Sequence, residues 1–577
     1  RSIRDHLSET SASVESGAAV AEPVRRTRLS RWLPLAAAAV FAALGLGYVL
    51  GTRRHAPVPT FEQLTFRRGT VLKARFAPDG QTVVYSAAWE GKPVEVFSSR
   101  LGSPESRPLG VAGASLFAVS STGELALALG WHYVGNWESR STLARVPISG
   151  GAPKEVLEEV EDADWSPDGK ELAVVRQVGD ARVLEYPIGR RIYETVAWLS
   201  RPRISPDGKT IALIEHPARG DNMGRILLVP VSGKSRAISP VGPVGPVAWS
   251  ADGTYLWTTL NTTLLRVSTD GHQEIVTRIP EYGSIEDVSR EGKLLLSVVP
   301  IRREIVGLAP GETRERNLSW LDWSYPTGLS KDARELLFEE QNRGPDYALY
   351  IRKTDGSDAV RLGTGRAFAL SPDGHWALGA ATSNPEHQLL LIPTGPGEIR
   401  KLVNTNLTYY SSANFFPDGR RLLVQASEPG HGNRMYIQDL DGPPRPIAPE
   451  GLGFGRWNAI SPDGKHIAVL TAERRIALFV IESRQTVPIR GTEPDESPIG
   501  WTADGRSLYV GPTSGVPAQI HLVNLETGQR TLWKTLDAPD PAGILRMSPY
   551  FIAEDGQSYV YSYRREVGDL FLVEGLK

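Results

Sequence analysis

The 577-residue chain contains no cysteine. That absence removes disulfides, thiol nucleophiles and thiolate zinc sites together. An excess of charge of one sign is missing too: 64 basic residues stand against 66 acidic ones, which gives no global reason to expect a nucleic acid partner. The ten histidines never pair as H-x-x-x-H or H-E-x-x-H, so no helix face offers two metal ligands. A G-x-S-x-G elbow is also lacking, and a hydrolase reading has nothing to stand on. Neither cofactor nor metal is expected, and no residue is assigned a catalytic role. Long apolar runs are absent but for one, the twenty uncharged residues from Trp32 to Gly51.

What the chain has in abundance is turns, with 57 glycines and 43 prolines. They recur with a period. Clear copies of one motif are FAPDG at Phe76, WSPDG at Trp165, ISPDG at Ile204, LSPDG at Leu370, FFPDG at Phe415 and ISPDG at Ile460. Weaker copies begin at Val119, Trp249, Val288, Leu329, Trp501 and Ile552. The fourth positions run from Asp79 to Asp555, so eleven intervals cover 476 residues and average about 43. That spacing is the mark of propeller blades with four short strands each. Ser, Pro, Asp and Gly in succession suit a type I turn, with Pro fixing φ at the second corner. An apolar strand follows each copy, as in ELAVV from Glu171 and TIALI from Thr210, and later strands grow more polar.

Counting strands groups the blades. The last copy stops after its third strand, DLFLVEG from Asp569, whereas FEQLTF at Phe61 reads as a fourth strand ahead of any first. An open ring would expose edges, so closure by a leading outer strand is expected. Cutting after REIVGLAPG, which ends at Gly311, makes RERNLSW at Arg314 the closing strand of a second ring. The expected fold is therefore all-β, two consecutive six-bladed β-propellers over 61–310 and 311–577, making twelve four-stranded blades. Seven plus five blades, or one large ring, are the alternatives.

As a helix, residues 32–51 would span about 30 Å, enough for one membrane crossing. Residues 1–31 read as a polar cytoplasmic linker and 52–60 as a second linker. Arg25, Arg26, Arg28 and Arg31 precede the run and Arg53 and Arg54 follow it, so the positive-inside rule places the N-terminus in the cytoplasm and the propellers outside. A cleaved signal peptide is the competing reading, but no A-x-A site follows the run. The chain starts at Arg1 with a Ser-rich stretch, like the C-terminal part of something longer.

Two segments carry a family resemblance. LSWLDWSYPTGLSKDARELLFEE at Leu318–Glu340 and YSYRREVGDLFLVEGLK at Tyr561–Lys577 resemble the C-terminal region of bacterial membrane-bound serine/threonine protein kinases, whose repeats are similar to TolB-type propellers. The resemblance implies a cytoplasmic kinase, one crossing of the inner membrane and a periplasmic propeller sensor. It departs at Ala333, where the turn usually has Gly, and at Ser121–Gly123, which reads STG in place of PDG. The kinase domain itself is not in this sequence: no H-R-D, D-F-G or V-A-I-K motif occurs.

The expected function is accordingly a non-catalytic, membrane-anchored module that binds a protein, peptide or glycan. The regulatory half of a kinase lying upstream is the alternative, and an envelope transport scaffold a third option. One segment suggests a site: GWHYVGNWESR places Trp131, His132, Tyr133 and Trp137 in the loop joining two strands of the second blade, where clustered aromatics suit recognition. Trp165, Trp249 and Trp501, just ahead of turns, read as core. DLDG at Asp439 superficially resembles a calcium loop but reads as a hairpin turn.

Overall fold

The computed structural model describes residues 59–576 except 134–137, 180, 218–222, 280, 341–346, 381–387, 430, 455–457, 472 and 514. The expected transmembrane helix, Trp32–Gly51, lies outside the described residues. Among the described residues no helix is long and apolar enough to cross a membrane.

The structure is all-β, built mostly of four-stranded antiparallel sheets in which consecutive strands pair, the construction of propeller blades. Every copy of the repeated motif makes its turn. The fifth residue donates its N–H to the carbonyl three residues earlier in all of them, from Gly80 to Ala77 at 3.0 Å through Gly556 to Ala553 at 3.0 Å. Both departures from the pattern comply: Gly123 bonds Ser120 and Ala333 bonds Ser330. The acidic residue locks the corner. In the turn at Ser205, the Ser205 hydroxyl donates to Asp207 Oδ1 at 2.6 Å and the Lys209 N–H donates to the same oxygen at 3.1 Å. These bonds hold the Asp207 carboxyl below its ordinary range.

Burial falls outward along each sheet as the sequence predicts. In the first sheet Gly69–Phe76 is almost wholly buried, whereas the fourth strand, Ser106–Ala112, is mostly exposed. Apolar clusters fill the space between neighbouring sheets: Val175 and Leu184 of one pack on Leu199, Ile211 and Leu227 of the next. The inner strands Gly69–Phe76, Ala114–Val119, Lys154–Trp165, Trp198–Ile204, Ala248–Trp249 and Gly283–Val288 are successive neighbours, and the last lies against the first. In the C-terminal part Ile544–Ile552 likewise lies against Ser324–Leu329. The strand Lys154–Trp165 is long enough to serve two sheets, pairing with Ser139–Pro147 on one side and Leu172–Val178 on the other.

One assignment is corrected. The third strand expected to end at Gly311 does not pair with the strands before it. Ile301–Leu308 pairs with Tyr559–Glu566, carrying Arg316–Asn317 on its outer edge, while Asp569–Glu574 pairs with Leu294–Val298. Thr60–Gln63 then closes that sheet as its outer strand, on Asp569–Glu574. The third strands are exchanged, so a boundary at 310/311 does not separate the sheets, and residues 59–576 form one compact unit. The connections explain why. A two-residue hairpin needs residues that accept φ > 0, and Val299-Pro300 cannot supply them. The chain therefore runs on into another sheet.

Candidate functional site

A cleft of about 770 Å³ opens over the inner strands of the N-terminal sheets. Its lining follows from a repeated irregularity. The inner strands carry a bulge at the same level: pairing shifts around Leu72, Phe117, Glu161, Arg201 and Glu286. Each of these residues lines the cleft. A bulge turns an extra side chain out of the ladder, and here five of the six inner strands bring one to the cleft lining, Ala248–Trp249 pairing without a shift. Arg201 takes φ +54° to do so.

Beneath the lining lies a two-layer ion network. In the upper layer Lys73 Nζ donates to Asp162 Oδ1 at 2.5 Å, and Arg201 lies 3.7 Å from Glu286 Oε2. In the lower layer Arg203 bonds Asp287 and stands 3.9 Å from Asp164, while Arg75 donates to the Glu286 carbonyl at 2.5 Å. Charges thus alternate in sign among the four inner strands that carry them, Ala114–Val119 and Ala248–Trp249 being uncharged. The carboxylates also tie two pairs of neighbouring inner strands through backbone N–H groups. Asp162 accepts from Arg201 at 3.2 Å, Asp164 from Ile204 at 2.8 Å, and Asp287 from Phe76 at 2.9 Å, the last between the first and last of these sheets.

Burial shapes the protonation of this network. It pulls Lys73 down to about 8 against the opposing pull of Asp162. Arg75 falls to about 10, through burial and then the Arg203 charge. Burial would raise Asp162, but Lys73 and Arg201 outweigh it and hold the carboxyl below its ordinary range. Asp164 ends up raised, since burial prevails there over Arg203 and Arg75.

Aromatic rings complete the cleft. Trp131 is half-buried against the cluster containing Phe117 and Trp165. Trp198 stacks on His216 with ring centroids 4.0 Å apart. Tyr282, 45% exposed, and Trp323 also line the cleft. Ser200 and His216 Nε2 lie 2.8 Å apart, and His216 Nδ1 lies 3.1 Å from the Met223 carbonyl, an arrangement that fixes the ring beside Trp198.

Of the residues singled out from sequence, Trp131 lines this cleft. His132 points elsewhere: its Nδ1 faces the Gly130 carbonyl at 2.8 Å and its Nε2 lies 3.7 Å from Asp495. These residues are not in a loop, as expected, but in the strand Glu124–Tyr133, because hairpin pairing resumes beyond a bulge, with His132 opposite Arg140 and Tyr133 opposite Ser139. Trp137 lies outside the described residues. Trp165, Trp249 and Trp501 are all buried, and the Trp249 and Trp501 indoles donate across to the Arg203 and Ala459 carbonyls of the preceding sheets. At the calcium-like segment, Asp439 and Asp441 are engaged by Arg445 and Arg400.

Lys73, Asp162, Arg201 and Glu286 escaped the sequence reading. A signal was available: Arg75, Asp164, Arg203 and Asp287 each stand immediately before a turn motif, on strands expected to be buried, with signs that alternate. The C-terminal copies have Gly328, Ala369, Asn414, Ala459, Gly500 and Phe551 at that place, none of them charged.

No family model and no curated protein matches the chain. Solved structures similar to it include the tricorn protease, 14% identical over 88% of this chain and 58% of that one, with a TM-score of 0.29. The chain therefore spans 58% of the length of that protein. Others are a putative TolB from Agrobacterium tumefaciens, 15% identical over 58% of this chain and 94% of that one at 0.24, and a GH74 enzyme from Niastella koreensis, 11% identical over 88% and 91% at 0.32. The reading of this chain as a β-propeller protein rests on its own sheets and their pairing.

Proposed function

We propose that the chain is a membrane-anchored, non-catalytic propeller module that binds a ligand at the cleft over its N-terminal sheets. The observation that carries this reading is the recurrent bulge, which delivers one side chain from each of several inner strands to a single concave site beside aromatic rings. Concave sites with a few convergent polar groups are where ligands bind. The strand neighbours support two six-bladed rings sharing exchanged third strands. The apolar run at 32–51 supports a single-pass anchor in a bacterial inner membrane, with the propellers on the periplasmic side. The resemblance of Leu318–Glu340 and Tyr561–Lys577 to membrane-bound kinases favours a second reading, the sensor half of a serine/threonine kinase whose catalytic domain lies upstream.

The test is a panel of peptides and oligosaccharides titrated against the full chain, with the mass of each ligand checked afterwards. Saturable binding of an unchanged ligand, weakened about fivefold on Tyr282→Ala at the cleft rim, is expected. Absence of any saturable ligand, or conversion of the ligand, contradicts the reading.

A further inference from the structure

We infer that the cleft takes a neutral, polyhydroxylated ligand, an oligosaccharide. The inference rests on the reading of the cleft as the binding site and names the chemistry it selects.

Charge is the first ground. Most charged groups at the cleft are already engaged: Lys73 with Asp162, Arg201 with Glu286, Arg302 with Asp322 at 3.8 Å and Glu161 with Arg182 at 2.7 Å, while Glu340 accepts the Leu321 and Trp323 N–H groups. A strongly charged ligand would displace one partner and leave the other desolvated and uncompensated, which is costly. A neutral ligand disturbs no pair.

Hydrogen-bonding capacity is the second. The Glu286 side chain is 1% exposed, and its Oε1 accepts from Ser297 at 2.8 Å. Its Oε2 has no hydrogen bond, for Arg201 at 3.7 Å is too far to make one. The Arg201 guanidinium, 29% exposed, makes no side-chain hydrogen bond among the described residues. An unfilled carboxylate oxygen beside an unfilled guanidinium calls for a group that donates and accepts at once. A sugar hydroxyl does both.

The rings are the third. Trp131 and Tyr282 offer apolar surface beside these polar groups, suited to the C–H faces of a pyranose. An extended peptide fits less well, because it would bind by adding to a strand edge. Two of the inner strands, Trp198–Ile204 and Gly69–Phe76, already have edge N–H groups capped, those of Arg201, Ile204 and Phe76, by Asp162, Asp164 and Asp287.

The experiment is calorimetric titration of the full chain, held in a sugar-free detergent. The probes are cellotetraose, maltotetraose, chitotetraose, tetragalacturonate, tetra-alanine and tetralysine. At least one neutral tetrasaccharide is expected to saturate with a Kd below about 1 mM. Glu286→Gln should weaken it about tenfold and Tyr282→Ala about fivefold, the second variant being an exposed position that leaves the fold intact. If only a peptide or tetragalacturonate saturates, the saccharide inference falls while the binding reading stands. If no probe saturates, both fall. Unchanged affinity in both variants would place the saccharide elsewhere and overturn the inference.

Discussion

Gly568 passes so close to Val298 that a Cβ built on the glycine would lie 2.4 Å from the Val298 carbonyl oxygen and 2.6 Å from the Val299 Cα. Here the two crossing connections meet, Val299-Pro300 leading out of one sheet and Val567-Gly568 leading into it. The exchange of third strands depends on their passing at backbone distance. Gly568 also donates its N–H to the Gly69 carbonyl at 3.0 Å, which fastens the crossing to the first inner strand.

Gly568→Ala should therefore destabilise the chain by about 2 kcal/mol or more, because the obstructing atoms are backbone and cannot rotate away. Urea unfolding measures it. A cost below about 0.5 kcal/mol, the usual size of a surface substitution, would mean that the crossing has room the structure does not show.

The exchange also predicts how fragments behave. Residues 1–310 expressed alone leave Leu294–Val298 without its Asp569–Glu574 neighbour, and residues 311–577 alone leave Tyr559–Glu566 without Ile301–Leu308. Each half should aggregate through its open edge, while co-expression should give a soluble complex. Two separately stable, monomeric halves would contradict the pairing.

Lys73 and Asp162 form a buried pair, with side chains 11% and 9% exposed. Lys73→Met leaves Asp162 buried without its cation and should cost about 3–5 kcal/mol near neutral pH. The pH dependence has a definite sign. Lys73 titrates at about 8 when folded, against 10.5 as its ordinary value. Between these values the unfolded chain binds more protons, so the Lys73 contribution to stability rises as pH climbs from about 8 toward 10.5. Asp162, held below 3.8, contributes stability that is present above that value and is lost as pH falls through the folded one. The gap in denaturation midpoint between the natural chain and Lys73→Met should widen from pH 7.5 to pH 9.5. A constant or shrinking gap would refute the assignment.

Turn positions give paired substitutions of opposite sign. Gly253 sits at φ +71° with only ordinary contact to Pro206, so Gly253→Ala should cost about 1–2 kcal/mol from backbone conformation alone. Ala333 holds the equivalent position at φ +56°. Ala333→Gly should stabilise by up to about 1 kcal/mol, less whatever its buried methyl contributes. Thermal unfolding of the two variants checks both signs.

What could be read in the sequence was local. A Ser-Pro-Asp-Gly corner is settled by four residues, so every copy from Asp79 to Asp555 forms its turn, even where Ala333 replaces the glycine. The leading strand at Phe61 was legible for the same kind of reason, since a sheet lacking its outer edge has to find one. The partner of that strand was not. Ile301–Leu308 and Asp569–Glu574 are both short apolar strands, and either pattern fits either sheet; only the Pro300 and Gly568 connections decide between them. The cleft was legible in Trp131 alone. Lys73, Asp162, Arg201 and Glu286 lie up to about two hundred residues apart, and bulges, not a motif, bring them together. His132 was misread because its strand resumes pairing past Gly130.

Ligand occupancy of the cleft can be tested directly, because the chain contains no cysteine. Single cysteines placed by Tyr282→Cys at the rim and Val360→Cys on an outer strand, 45% and 58% exposed respectively, are labelled with a bulky maleimide in the full chain. The measurement is affinity for the strongest saturating probe of the oligosaccharide and peptide panel. Loss of binding at labelled position 282 with full binding at labelled position 360 is the predicted result. Equal affinity in the two labelled chains would contradict it.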